Sequence, residues 1–402
     1  MEKRGGKFMI NMKAEALEIK DEIIKIRREI HANPELGFEE WETAKLVADY
    51  LRSLGLEVEE GVAKTGVVGF LEGKNRDKVV AIRADMDALP IKEQNHCDYK
   101  SNNEGKMHAC GHDSHTAMVL GVAKLLTKFK EELEGSVKFI FQPNEEQTEM
   151  PGGAETMIAE GVLEKPKVEA IFGIHVNPQL EVGTVGIKEG PIMAATDKFK
   201  ITVKGEGGHG AAPHETIDAI IIAADIVQNL QSIVSRRISP VEPAVLTIGK
   251  LCGGESYNVI ADEVRIEGTV RTVNPEVRDK VPLLMEQTID GVTDIFGGGY
   301  TFDYQFGHSV LENDEQLTAL VTQVSKELIG ADNTVILKNP LMAGEDFASY
   351  AKEVPGFFLH LGVSNSDRKI YPWHHPKFNL DEEALPIGMA ILAKSAMEYL
   401  SK

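Results

Sequence analysis

The residues with the most chemistry to offer lie in one short run, Met107-His108-Ala109-Cys110-Gly111-His112-Asp113-Ser114-His115. Cys110 and His112 stand two apart, which lets both face one cation from a short loop. Thiolate, imidazole and carboxylate together suit zinc or another borderline transition metal. Alone, a Cys-x-His pair reads as a buried cysteine beside surface histidines. Here it is accompanied by the adjacent pair Glu145-Glu146 and by His175, and the combination reads as a metal site with an acid/base group beside it.

These side chains need strands to deliver them. Val79 to Arg83 is a β-branched apolar run leading into Ala84-Asp85-Met86-Asp87. Val137 to Phe141 leads into Gln142-Pro143-Asn144-Glu145-Glu146, and Ala170 to Ile174 delivers His175. In open α/β sheets ligands gather at the carboxyl ends of strands. Val67 to Leu71 is a further strand. Thr116 to Phe129 and Ala154 to Ala159 have helical spacing, so strands and helices alternate as in a sheet with covered faces. The first ~55 residues read as two helices separated by Asn33-Pro34. The second carries Trp41, Ala44, Val47, Leu51 and Leu54 on one face, with Gly55 as its stop.

The pattern changes after Met193. Strand Lys198 to Lys204, helix Thr216 to Val234, strands Ala244 to Leu251 and Val264 to Val273, helix Val277 to Ile295 and strand Tyr300 to Phe306 follow in order. This β-α-β-β-α-β order is the ferredoxin-like split pattern. Helices and a strand resume after Leu311. The expected organisation is a catalytic α/β domain of residues 1–193 and 308–402, interrupted by an inserted α+β satellite domain of residues 194–307.

The 402 residues carry 43 Lys and Arg against 63 Asp and Glu, a formal net charge of -20. Such a chain repels phosphate backbones, which argues against nucleic acid or an anionic membrane as partner. Three cysteines, Cys97, Cys110 and Cys252, make no disulfide framework and point to a reduced cytoplasmic setting. No stretch approaches the ~20 apolar residues of a membrane span; Ile217 to Val227 is broken by Asp218 and Asp225. Met1 to Met12 has no signal-peptide core, and Met9 and Met12 are alternative starts.

Taken in order, these motifs resemble the aminoacylase, hippurate-hydrolase and auxin-conjugate amidohydrolase branch of the dinuclear metallopeptidases. The matching segments are His31 to Phe38 (His-x-x-Pro-Glu-Leu-Gly-Phe), Arg83 to Pro90, Met107 to Asp113, Glu145-Glu146 with Gly152-Gly153-Ala154, and Gly173 to Val176. Gly207-Gly208-His209 with Pro213-His214, Asn258-Val259-Ile260 with Gly268 to Arg271, Gly344 to Phe347, and His374-His375-Pro376-x-Phe378 complete the set.

The resemblance implies a zinc-peptidase-like catalytic domain with two divalent metal ions, zinc favoured over manganese, cobalt or nickel. Cys110, His112, Glu146, His175 and His374 would be their ligands. Glu145 would be the general base, and Asp87 a carboxylate orienting a ligand histidine. Adjacent glutamates after a strand can point differently, one on a metal and one on the water beside it. His374 is preferred to His375 on the His-x-Pro pattern, and Asp85 is read as a loop cap. His209 would polarise the scissile carbonyl, often from a partner subunit, while Asn258 and Arg271 would receive a substrate carboxylate, for which arginine's planar fork is suited. The implied reaction is cleavage of the amide of an N-acyl amino acid by a metal-bridged hydroxide, with carboxypeptidase or dipeptidase action on short peptides as the alternative. A homodimer or homotetramer built through the satellite domain is expected.

Two features depart from the family pattern. Gln147-Thr148-Glu149-Met150-Pro151 lengthens the connection after Glu146, and Asn144 replaces a small residue. Both bear on substrate choice. Gly297 to Gly299 reads as a helix stop, and Cys97 and Cys252 as packing residues.

Overall fold

A computed structural model describes residues 10–147, 150–367, 369 and 371–402, with the backbone of residues 3, 4, 7 and 8. Thr148 and Glu149, in the lengthened connection, lie outside the described residues. The chain forms two compact units.

The first unit comprises Met1–Gly190, Glu312–Asn339 and Ser349–Lys402. Its centre is an eight-stranded sheet in the order Thr334–Ile336, Val185–Ile187, Gly356–Ser364, Val168–Glu181, Val79–Asp85, Ser136–Gln142, Gly66–Leu71, Glu57–Val62. The four middle strands, Gly356–Ser364 through Ser136–Gln142, run parallel. Every residue of Val79–Asp85, Ser136–Gln142 and Gly356–Ser364 is buried, as befits parallel strands covered on both faces. Helices Met12–Glu18, Lys20–Ala32, Trp41–Ser53, His112–Lys128, Glu315–Ile329 and Leu385–Leu400 contribute to one apolar core with the sheet.

Three local expectations need correction. The first helical stretch is two helices meeting at Ile19, whose N–H bonds back to Leu17. Ala44, Val47 and Leu51 face the core, but Trp41, in the first turn of its helix, is 55 % exposed. Glu57–Val62 forms a strand although its sequence Glu-Val-Glu-Glu-Gly-Val lacks an apolar run; it lies at the sheet edge, where charged residues are favoured.

The second unit comprises Pro191–Leu311 and Pro340–Ala348. Its antiparallel sheet has the order Ala244–Gly253, Glu263–Thr272, Ala195–Lys204, Gly299–Phe306, the ferredoxin-like arrangement. Helices Ala219–Ser232 and Pro275–Phe296 bury Ile222, Ile226, Met285 and Ile289 against Phe199, Ile201, Val203, Val264 and Ile266. Gly297, at φ +72°, stops the second helix. Pro340–Ala348 joins this unit because the Ala194 N–H bonds to the carbonyls of Leu341 and Ala343, each at 3.0 Å. Cys252 is exposed on the outer strand, not packed in a core.

Candidate metal centre

Three parallel strands bring their loops together in the first unit. Val79–Asp85 leads to Asp87, Ser136–Gln142 to Glu145 and Glu146, and Val168–Glu181 carries His175. The loop after Asp87 returns through Cys110 and Gly111 into helix His112–Lys128. Gly111 has φ +99°, and a Cβ there would lie 2.4 Å from Val176 Cγ2. Only glycine adopts this turn without strain, and the turn brings Cys110 and His112 to one point.

Each histidine is oriented by a bond on its far side. His175 Nδ1 donates to the Val176 carbonyl at 2.8 Å, leaving the Nε2 lone pair 3.4 Å from Cys110 Sγ. His112 Nδ1 donates to the Asp87 backbone oxygen at 3.0 Å and lies 3.2 Å from Asp87 Oδ1. Its Nε2 is buried without a hydrogen-bond partner among the described residues. That atom is 3.9 Å from both Glu145 Oε2 and Glu146 Oε1. Asp87 Oδ2 accepts the Glu146 N–H at 2.9 Å, so one carboxylate ties two loops together. His374 Nε2 lies 3.4 Å from Glu146 Oε2. His374 takes a left-handed backbone, φ +63°, with its N–H on the Ala109 carbonyl at 2.9 Å. His375 is differently occupied: its ring stacks on Tyr371 at 4.4 Å and its Nδ1 accepts the Lys377 N–H.

Asp85 is held by structural partners, Arg83 and His115, each at 2.7 Å. His115 Nε2 in turn accepts the Val176 N–H at 3.0 Å, which steadies the backbone beside His175. Trp373 donates from Nε1 to the Val176 carbonyl at 2.9 Å and meets the His175 ring edge-on at 5.0 Å. Neither the His115 nor the Trp373 contact is legible in spacing. The histidines near Cys110 signal a cluster but not the partner of each ring.

Cys110, His112 and His175 offer ligand atoms within 4.8 Å of one another; so do Cys110, Glu146 and His374, and likewise His112, Glu145 and Glu146. The sets overlap, as they do where two cations share ligands. The electrostatics fit a cation too. Burial pushes the Cys110 thiol up, and the Glu146 charge adds to it. Burial opposes a proton on His112, but Asp85 and Cys110 outweigh it and raise that imidazole well above its ordinary value. Burial and His115 hold His175 neutral, the state in which imidazole binds metal. A thiol, three imidazoles and a carboxylate, with a buried nitrogen on His112 and a buried oxygen on Glu146 that have no hydrogen-bond partner among the described residues, make a donor set suited to zinc-like ions.

His209, Asn258 and Arg271 belong to the second unit. His209 pairs with Val259 across a two-residue ladder, and the Gly210 N–H bonds to the Asn258 carbonyl at 2.9 Å. Asn258 is exposed and its side-chain oxygen accepts from Ser256. Arg271 is half-buried on Glu263–Thr272, bonded to Thr269 and to the Val270 carbonyl.

Residues 81–398 match the model of peptidase family M20/M25/M40. A protein of Bacillus subtilis named N-acetylcysteine deacetylase is 42 % identical over 94 % of this chain and 97 % of its own length. Thermostable carboxypeptidase 2 of Saccharolobus solfataricus is 42 % identical over 97 % of this chain and 98 % of its own. The crystal structure of a dinuclear metal binding peptidase of family M20 from Bacillus subtilis superposes with a TM-score of 0.83 at 38 % identity, covering 96 % of this chain and 99 % of that one.

Proposed function

The chain belongs to peptidase family M20/M25/M40, and on that premise we propose that it removes the acyl group from N-acyl amino acids, releasing a carboxylic acid and the free amino acid. It is a metal-binding hydrolase of amide bonds; the substrate and the residue roles are the proposed part. Cys110, His112, Glu146, His175 and His374 would hold two divalent ions. A thiolate among imidazoles favours zinc over manganese, cobalt or nickel. Bound metal supplies a Lewis acid and acidifies a water near neutral pH.

The observation that carries the reading is the pair Glu145-Glu146 at one strand end, both carboxylates 3.9 Å from the unpartnered nitrogen of His112. One serves as ligand. The other, Glu145, takes the proton of the attacking water and returns it to the leaving nitrogen. Asp87 fixes the His112 ring so that Nε2 faces the ligands. His209 is assigned to the scissile carbonyl, and Asn258 and Arg271 to the substrate carboxylate, on the family pattern. A cytoplasmic homodimer or homotetramer completes the proposal. All three cysteines are free, which suits a reducing compartment, and light scattering at assay concentration checks the assembly.

A second reading, carboxypeptidase action, is favoured by the similarity to thermostable carboxypeptidase 2. Rates on N-acetyl amino acids and on dipeptides of the same residues separate the two. Preference for the dipeptides by tenfold or more would overturn deacylation.

A further inference from the structure

One motif reaches none of the candidate ligands: His31-Ala32-Asn33-Pro34-Glu35-Leu36-Gly37-Phe38-Glu39-Glu40. It leaves helix Lys20–Ala32, turns, and enters helix Trp41–Ser53. His31, Gly37 and Glu40 are buried. Along its length it bonds to the first turn of helix His112–Lys128 and to two loops, and each time to the residue next to a functional side chain.

At its first end, His31 Nδ1 is 2.7 Å from Asp113 Oδ2, and Asp113 follows His112. The other ring nitrogen faces Glu93 Oε1 at 3.2 Å, and Arg27 Nη2 lies 3.2 Å from His31 Nδ1. Arg27 pairs with the same Asp113 oxygen at 2.7 Å. In the middle, the Glu35 carbonyl accepts the Ala88 N–H at 2.8 Å, and Ala88 follows Asp87. At the far end, Glu40 Oε1 accepts the Asn144 N–H at 2.9 Å, and Asn144 precedes Glu145. Thr65 donates to the second Glu40 oxygen at 2.6 Å.

The far end is also shaped sterically. Asn144 has φ +54°, a left-handed conformation that asparagine tolerates better than most residues. Its side-chain oxygen lies over Gly37, where a Cβ would come within 2.0 Å. Gly37 thus leaves the room that Asn144 occupies.

We propose that residues 31–40 are a positioning template: one segment that sets His112, Asp87 and Glu145 relative to one another by holding their immediate neighbours. A site assembled from three separate segments must hold its groups to about 0.5 Å. Bonds from a single piece of chain remove three independent motions at once. The template rests on the functional reading above, and its two ends have different signatures. The His31 end governs how firmly metal is held; the Glu40 end governs how Glu145 is aimed.

The test uses the full-length, metal-loaded protein. Glu40→Ala should lower kcat about tenfold to a hundredfold, the cost of a displaced catalytic group, with KM and metal content unchanged. Glu40→Gln keeps an acceptor for the Asn144 N–H and should recover most of the loss. Gly37→Ala should be impaired likewise, and Gly37→Ala with Asn144→Gly should return to within a few-fold of wild type, because the two side-chain clashes go, only a 3.1 Å contact with the Cα of residue 144 is left, and glycine keeps the left-handed turn. If Gly37→Ala is too unstable to purify, recovery of folded protein in the double variant is the same result. His31→Ala, or His31→Gln if the alanine variant does not fold, should release metal to a chelator at roughly 10- to 100-fold lower concentration, followed with an indicator dye. The template is overturned if the double variant is no better than Gly37→Ala, if Glu40→Ala lowers only the thermal midpoint, or if His31 variants retain metal like wild type. A wild-type protein that binds metal but cleaves no acyl substrate would instead sink the functional reading, while the dye and the rescue of folding still report on the template.

Discussion

The two sheets of this protein bury their residues differently, and the difference tracks where chemistry can be housed. In the eight-stranded sheet, three central strands are buried at every position. Buried side chains beside them lie in a low-dielectric setting where every polar atom needs a partner. His112, His175 and Asp87 have such partners on their outer sides. In the four-stranded sheet, Ala195–Lys204 alternates buried with open positions, and its two helices cover one face. Asn258 there is exposed and Arg271 is half-buried, and their side chains bond to residues one or two positions away. A doubly covered sheet can hold a fixed multi-ligand centre; a singly covered one offers individual groups for contact.

The largest effect expected from this contrast is at Glu145. Glu145→Gln should keep its metal and fold while kcat falls by ~10²–10⁴, the usual worth of a general base. Glu146→Gln should lose metal instead. Near-normal kcat in Glu145→Gln would move the base elsewhere. Stability should follow burial: Phe172→Ala, a fully buried side chain on strand Val168–Glu181, should cost about 3–5 kcal/mol in denaturant unfolding. Arg271→Ala should cost roughly 2–5 kcal/mol in kcat/KM on substrates with a free carboxylate, the range for truncating one member of a charge pair. It should cost little on their amides. Equal kcat/KM for N-acetyl-methionine and N-acetyl-methionine amide in wild type would return Arg271 to a purely structural role.

A smaller effect is a pH slope. Burial, with the Asp87 charge adding, raises the Glu40 carboxyl from 4.5 to about 7. The folded state therefore holds a proton that the unfolded chain gives up, and the group's contribution to stability falls as pH rises from 4.5 to about 7. In chelator-treated protein, Glu40→Gln should flatten that slope in unfolding measurements. The smallest effect is at Leu251, 50 % exposed on the outer strand of the second unit. Leu251→Ala should change monomer stability by under about 0.5 kcal/mol. A larger loss that depends on protein concentration would mean that a second copy covers this strand.

All four strands of the second unit's sheet, and Gly66–Leu71, Val79–Asp85, Ser136–Gln142 and Val168–Glu181 of the first, are legible because β-branched apolar runs and turn residues fix period and ends, whereas the three-residue strands Val185–Ile187 and Thr334–Ile336 are too short to carry that signal. Glu146 is legible because it follows a strand end, His175 because an apolar strand carries it, and Cys110 and His112 because they stand two apart in one run; His374 rests on the family pattern. What sequence could not give is pairing across distance. His31 and Asp113 are 82 positions apart, and nothing in the spacing of either one names the other. Trp41 fits the apolar stripe of its helix yet is exposed, since the first turn of a helix can overhang the core it serves. Glu57–Val62 escaped because an edge strand needs no apolar run. Asn144 stood out as a substitution. Its left-handed turn over Gly37 explains how the residue is accommodated.

The central claim is that Cys110, His112, Glu146, His175 and His374 form a two-metal amidohydrolase centre. The direct measurement is a zinc titration of metal-free protein, following hydrolysis of N-acetyl-methionine and bound metal together. Activity should be absent at the start, rise with metal and level off at two ions per chain, and Cys110→Ala should bind fewer or bind them more weakly. Full hydrolysis by the metal-free protein, or an unchanged titration in Cys110→Ala, would contradict it.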